Sequence, residues 1–233
     1  MSETLLIAVL LAALDTDART LLAKADAPHD AFREGVIRLH VSVADAGKPP
    51  VEGVLDLLVK GADASLCIFR DGKQKGRKIL TVGDKVWLIV PTASKPVPVS
   101  KSQRLMGAAS FGDIASLRFA DAYEATLRPE LEDGCHVLDL RAKRKSAAYP
   151  TAVLWTGKDD GLARRVRLSL ASGKPAKEIA FSNYDGKGRV GAMEIRDLLA
   201  AKGKIVTTVT FESYEKREID PSVFDPEGAR AVP

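Results

Sequence analysis

Few residues of this 233-residue chain could carry catalysis or hold a metal, and their spacing speaks against both. His29, His40 and His136 are scattered, with no histidine partner three or four positions away, so a zinc site is not indicated. His40 alternates with Arg38 and Ser42 and reads as solvated. Cys135-His136 would set a nucleophile beside a base, but neighbouring strand residues point to opposite faces. There is no Gly-x-Ser-x-Gly elbow, no Walker loop and no Gly-x-Gly-x-x-Gly opening a helix. Asp113 and Asp121 flank an insert between strands; they read either as a glycosidase-like carboxylate pair or, preferably, as helix caps or turn residues. Cys67 and Cys135 allow one disulfide, and otherwise read as small buried apolar residues. The sequence therefore assigns no catalytic residue, metal or cofactor, and the expectation is a protein that is not an enzyme.

Two basic clusters remain, Lys73-Gln74-Lys75-Gly76-Arg77-Lys78 and Arg141-Ala142-Lys143-Arg144-Lys145. They could dock transiently on anionic lipid headgroups or an acidic partner, or be ordinary solvated loops. Neither has an aromatic platform nearby, and a net charge of +4 is too diffuse for a dedicated nucleic-acid binder.

The elements behind these residues are mostly strands. A length of 233 residues with 45% hydrophobic content suits one large all-β domain, taken as residues 15–233. Residues 1–14 contain the apolar run Leu5–Leu14, too short for a bilayer span but sized for an export signal. Glu3 stands where such a signal carries a positive charge, and a buried first helical turn is the other reading. Asp15-Thr16-Asp17 then caps a helix with Ala18, Leu21, Leu22 and Ala25 on one face, ending at Pro28. Val36–Val43, Glu52–Lys60, Ser65–Arg70, Arg77–Val82 and Val86–Val90 alternate as strands. After an insert, strand patterns resume at Tyr123 and run to Tyr214, for about ten or eleven in all. No βαβ alternation occurs, so a single strongly curved antiparallel sheet fits best and a two-sheet sandwich second.

The insert separates the two runs of strands. Gly83-Asp84 launches the strand containing Trp87, and Pro91 stops it. Ser100 then offers a helix N-cap ahead of Gln103–Met106, and Ser110–Leu117 forms a second short amphipathic segment. Two short helices, apolar on one side, would make a flap over the sheet.

Gly83-Asp84-Lys85-Val86-Trp87-Leu88-Ile89-Val90-Pro91, Val99-Ser100-Lys101-Ser102-Gln103-Arg104-Leu105-Met106-Gly107 and Phe111-Gly112-Asp113-Ile114 resemble the outer-membrane lipoprotein-sorting (LolA-like) superfamily. The pattern is that of its branch with a Gly-Asp-x-x-Trp-x-x-x-Pro strand followed by Ser-x-Ser-Gln-Arg-Leu-x-Gly. The likeness continues through Tyr123–Leu127, Asp133-Gly134, Val137–Leu140 and Leu154-Trp155 to Pro221–Phe224. The resemblance implies an unclosed half-barrel of antiparallel strands under a helical lid. It also implies a monomeric periplasmic carrier in a Gram-negative bacterium, moving acylated lipoproteins or another lipid from an inner-membrane transporter to an outer-membrane acceptor. The same branch is similar to accessory subunits of envelope lipid exporters of the RND or MMPL type, which leaves a non-lipoprotein cargo as the alternative. The best-known carrier has a lid-holding arginine after the second strand's lysine; here Lys60 is followed by Gly61, and Arg104 is the candidate replacement.

On this reading the groove candidates are Leu39, Val41, Leu57, Val59, Trp87 and Ile89, and the lid candidates are Arg104, Leu105, Met106, Phe111 and Ile114. Plain packing of a sheet against helices is the competing account of the same residues. Val86, Leu88 and Val90 are as apolar as Trp87 and Ile89, so the sequence leaves the face of that strand open.

Overall fold

The computed structural model describes residues 17–28, 31–100, 104–110, 113, 118–145, 147–199 and 205–233. Residues 1–14, Gln103, Phe111, Ile114 and the side chain of Arg104 lie outside the described residues.

Alternating apolar and polar residues make strands with one dry face, and thirteen of them form one antiparallel sheet among the described residues. One half comprises β1 (Glu34–Asp45), β2 (Val51–Lys60), β3 (Ala64–Phe69), β4 (Lys78–Val82), β5 (Lys85–Ile89) and β6 (Val97–Val99). A two-stranded hairpin of β7 (Arg104–Met106) and β8 (Ala109–Ser110) follows, apart from the large sheet. The other half comprises β9 (Tyr123–Leu127), β10 (Cys135–Ala142), β11 (Thr151–Gly157), β12 (Ala163–Ser169), β13 (Pro175–Ser182), β14 (Ala192–Asp197) and β15 (Ile205–Glu215). The spatial order is β6-β5-β4-β3-β2-β1-β15-β14-β13-β12-β11-β10-β9, so each half is a meander and the halves join where β1 pairs with β15. The sheet is curved and not closed: β6 and β9 are its edges.

Among the described residues the helices on the sheet include α1 (residues 17–28), α2 (Phe119–Ala122) and α3 (Pro226–Ala231). Ala18, Leu22 and Ala25 of α1 join the large apolar cluster of the inner face, whose floor includes Leu39, Val41, Leu57, Val166, Ile179 and Val209. A second, smaller cluster occupies the outer face of the first half: Val36, Leu58, Leu66, Ile68, Leu80 and Ile89, capped by Ile219 and by Ala229 of α3. Lys60 fastens this C-terminal segment by donating to the Ile219 carbonyl at 2.7 Å, and Lys78 by donating to the Arg230 carbonyl at 3.0 Å.

Two expectations change. Among the described residues the large sheet has thirteen strands, and the hairpin two more, rather than about ten or eleven in all. The residues expected to begin a lid helix after Ser100 instead enter the β7–β8 hairpin. Gly107, at φ +57°, occupies the hairpin turn, a backbone conformation that favours glycine. The second expected lid segment, Ser110–Leu117, lies largely outside the described residues.

Candidate functional site

The inner face of the sheet is a largely apolar trough, filled among the described residues by three pieces. Helix α1 lies along one stretch, with Lys24 against Gly161 in the β11–β12 turn. Helix α2 places Phe119 edge-on to Phe181 of β13, with ring centroids 6.5 Å apart. The hairpin packs Leu105, Met106, Ala108 and Ala109 onto the trough floor. Gly53 of β2 lacks a side chain where Met106 arrives: a Cβ there would stand 3.3 Å from both Sδ and Cε of Met106.

A few directional contacts hold these pieces. Asp26 of α1 is buried and caps α2, accepting the Phe119 N–H at 2.9 Å and the Ala120 N–H at 2.7 Å. Thr207 of β15 accepts the Ala108 N–H at 2.8 Å. Asp113 accepts the Ser110 N–H at 2.7 Å and pairs with Lys177 of β13, Nζ to Oδ2, at 2.5 Å. Both side chains of that pair are almost wholly enclosed, 8% exposed for Lys177 and 4% for Asp113. Lys143 donates to the Ala120 carbonyl, tying α2 to the sheet rim. An exposed Arg144–Asp84 ion pair links the segment after β10 to the β4–β5 turn, toward the opposite edge of the sheet.

Asp26 makes this assembly sensitive to pH. Burial pushes its carboxyl up from about 3.8 to about 6, against the two N–H groups that pull it down. A carboxylate whose folded pKa is raised penalises folding when ionised, so this cost is present above pH 6 and relieved as pH falls toward 4. The difference corresponds to about 3 kcal/mol. Asp26→Asn removes the titration, so its denaturant-unfolding stability should change less than wild type's between pH 7 and pH 4. A parallel pH profile in both proteins would contradict this assignment.

Between the end of α1 and the floor remains a cleft of about 80 Å³, lined among others by Phe32, Leu57, Val59, Phe181, Met193 and Phe211. Leu105, Met106, Ala108, Ala109 and Phe119 already pack on the trough floor, so an alkyl chain would take their places there only if the covering pieces moved.

The sequence-predicted residues fall on both faces. Leu39, Val41, Leu57 and Val59 lie on the inner face, and Leu57 and Val59 border the cleft. Leu105 and Met106 pack into the trough from the hairpin. Trp87 and Ile89 do not belong with them: both sit in the outer cluster beneath the C-terminal segment. Val86 and Leu88 take the inner face of β5 instead. The reason is that β5 is buried on both sides, because Ile219, Val223 and Ala229 cover an outer face that would otherwise be wet. Sequence reasoning also missed Lys177, which no motif singles out. Its signal was register: Lys177 shares a strand face with Ile179 and Phe181.

Other chemistry-bearing residues are dispersed. His40 meets Glu52 at the surface, 3.2 Å away. Asp121 is exposed near Arg118, whereas Asp113 is enclosed with Lys177. Cys67 and Cys135 are free thiols, and burial pushes the Cys67 thiol up to about 12, which makes it a poor nucleophile. Among the described residues no three His, Cys, Asp or Glu side chains are grouped to hold a metal. No helix of the described residues is long and apolar enough to cross a membrane.

A family model described as a "-like" uncharacterized protein matches residues 61–228. No curated protein matches the sequence. Among solved structures, a LolA superfamily protein from Nitrosomonas europaea is 25% identical and superposes with a TM-score of 0.81, covering 90% of this chain and 98% of that one. A DUF1329 family protein from Desulfovibrio piger is 20% identical with a TM-score of 0.78, covering 92% and 98%. A domain assigned as an outer membrane lipoprotein-sorting protein from Vibrio parahaemolyticus is 17% identical with a TM-score of 0.73, covering 90% and 97%. The last two likenesses are likenesses of fold.

Proposed function

The chain belongs to the "-like" family of uncharacterized proteins matched over residues 61–228, and we propose that it is a non-enzymatic carrier that shelters acyl chains in its inner trough. The observation that carries this reading is a largely apolar floor covered, among the described residues, by pieces separate in sequence: α1, α2 and the β7–β8 hairpin. The likeness to a LolA superfamily protein over 98% of its length supports it.

The magnitudes are compatible with a lid that exchanges with cargo. Re-exposing Leu105 and Met106 would cost about 3–6 kcal/mol at 1.5–3 per buried side chain. About twelve methylenes entering the trough would gain ~10 kcal/mol at 0.8 each. Cargo can therefore displace the hairpin, and the hairpin keeps the empty trough dry. On this reading the protein works in the periplasm, sorting acylated lipoproteins between an inner-membrane transporter and an outer-membrane acceptor. An accessory lipid-binding subunit of an envelope exporter is the second reading, favoured by the segment Ser100–Gly107 that resembles that branch.

Uptake of a fluorescent fatty acid tests the carrier. Wild type should bind it at micromolar concentration, and Leu57→Asp, which puts a charge on the trough floor, should weaken binding at least tenfold. Absence of uptake by folded wild-type protein would overturn the reading.

A further inference from the structure

The trough floor is not apolar throughout. Along β13 the inner-face residues run Phe181, Ile179, Lys177; along β14 they run Met193, Ile195, Asp197. The ladder aligns them in rows, Phe181 with Met193, Ile179 with Ile195 and Lys177 with Asp197. Phe181 and Met193 border the cleft, so the cleft and the charged row stand at opposite ends of one apolar track. Four residues separate Phe181 from Lys177, roughly 14 Å along a strand.

Lys177 is an unusual occupant of such a track. The buried lysines among the described residues are Lys78 and Lys177, and Lys78 serves the outer face by holding the Arg230 carbonyl. Lys177 faces inward, and the group that neutralises it, Asp113, comes from the covering segment rather than from the sheet. The Ser110 hydroxyl lies 3.5 Å from Nζ, and the Tyr149 ring centroid lies 5.9 Å away. Asp197 is its neighbour across the ladder, and that carboxylate already accepts the Leu199 N–H at 2.9 Å. Displacing the cover without replacing Asp113 would take from a buried ammonium group its direct ion-pair partner, at a cost in a low-dielectric trough.

Resting on the carrier reading, we propose that Lys177 is the head-group site of the trough, and that an anion at the end of an acyl chain, a carboxylate or a phosphate, replaces Asp113 on it. The chain then lies along β13 and β14 with its tail toward Phe181 and Met193. Asp113 is in this account a stand-in for the ligand's anion, and cargo binding and lid release are one exchange. A charge-assisted hydrogen bond is the recognition element, the alkyl chain the source of affinity.

Displacement of a fluorescent fatty acid by dodecanoate, dodecyl phosphate and dodecanol tests this. Wild type should bind the two anions at least tenfold more tightly than the alcohol; the tighter anion identifies the head group. Lys177→Gln should bring all three to within about twofold, Lys177→Arg should keep the preference, and Asp113→Asn should tighten the anions severalfold. Each preference is a ratio within one variant, so a lower folded fraction does not create it. Equal binding of acid and alcohol by wild type, or an undiminished preference in Lys177→Gln, would overturn the head-group site and leave the carrier standing. Binding of none of the three would overturn both.

Discussion

Replacing Lys177 with methionine is expected to destabilise the protein by about 3 kcal/mol or more, the usual consequence of breaking a buried ion pair from one side. The substitution preserves bulk and leaves the Asp113 carboxylate enclosed without its cation. Two routes relieve that: protonation of the carboxylate, or movement of its segment into water. The second exposes the hairpin's apolar side, Leu105 and Met106 included. A lowered thermal midpoint should therefore accompany increased binding of a fluorescent apolar dye below the transition. For a chain of this size each kcal/mol shifts the midpoint by about 2–4 °C, so a fall of at least 6 °C is expected. Combining Lys177→Met with Asp113→Leu removes both charges and should restore most of the loss. An unchanged midpoint in the single variant would mean that the pair is solvated, contrary to its burial.

Gly107→Val should release the hairpin without unfolding the sheet. At φ +57° a β-branched residue is strained by about 1–2 kcal/mol. A Cβ there would also stand 2.3 Å from the Thr207 hydroxyl oxygen and 2.7 Å from Cγ1 of Val43, both on the trough floor. The same displacement breaks the bond from the Ala108 N–H to Thr207, for a combined cost of about 3 kcal/mol or more. That cost falls on hairpin docking. Hydrogen exchange at Ala108, Ala109 and Ser110 should accelerate at least a hundredfold, while amides of β1 and β15 keep their protection. Gly186→Ala, where a Cβ meets nothing within 4 Å, should leave both unchanged. Equal acceleration across β1 and β15 would show that the hairpin is part of the global folding unit rather than a separable cover.

The sheet was legible because period-two alternation dominates it. Val36–Val43 and Ala163–Ser169 announce their faces residue by residue, and the helix face of Ala18, Leu22 and Ala25 was equally clear. Alternation failed at β5, where apolar residues occupy both faces. Only the C-terminal segment, far away in sequence, decides that Trp87 and Ile89 face outward. The hairpin was misread for a different reason: Ser100 is a competent helix cap, but glycine at position 107 and the landing site at Gly53 and Thr207 favour a turn. The Lys177–Asp113 pair was invisible to local pattern, since its members are 64 positions apart and Asp113 read as a cap or turn residue. Register brings the lysine inward, and tertiary folding brings the carboxylate to it.

Native mass spectrometry of gently purified protein asks whether the trough exchanges its cover for acyl chains. A population of the protein should carry extra mass that lipid extraction identifies as acylated. The same preparation of Leu57→Asp, with its circular dichroism retained, should lack that mass. Wild-type protein that carries no lipid, and acquires none when incubated with vesicles or a long-chain fatty acid, would contradict the account and leave the inner face as a packed core.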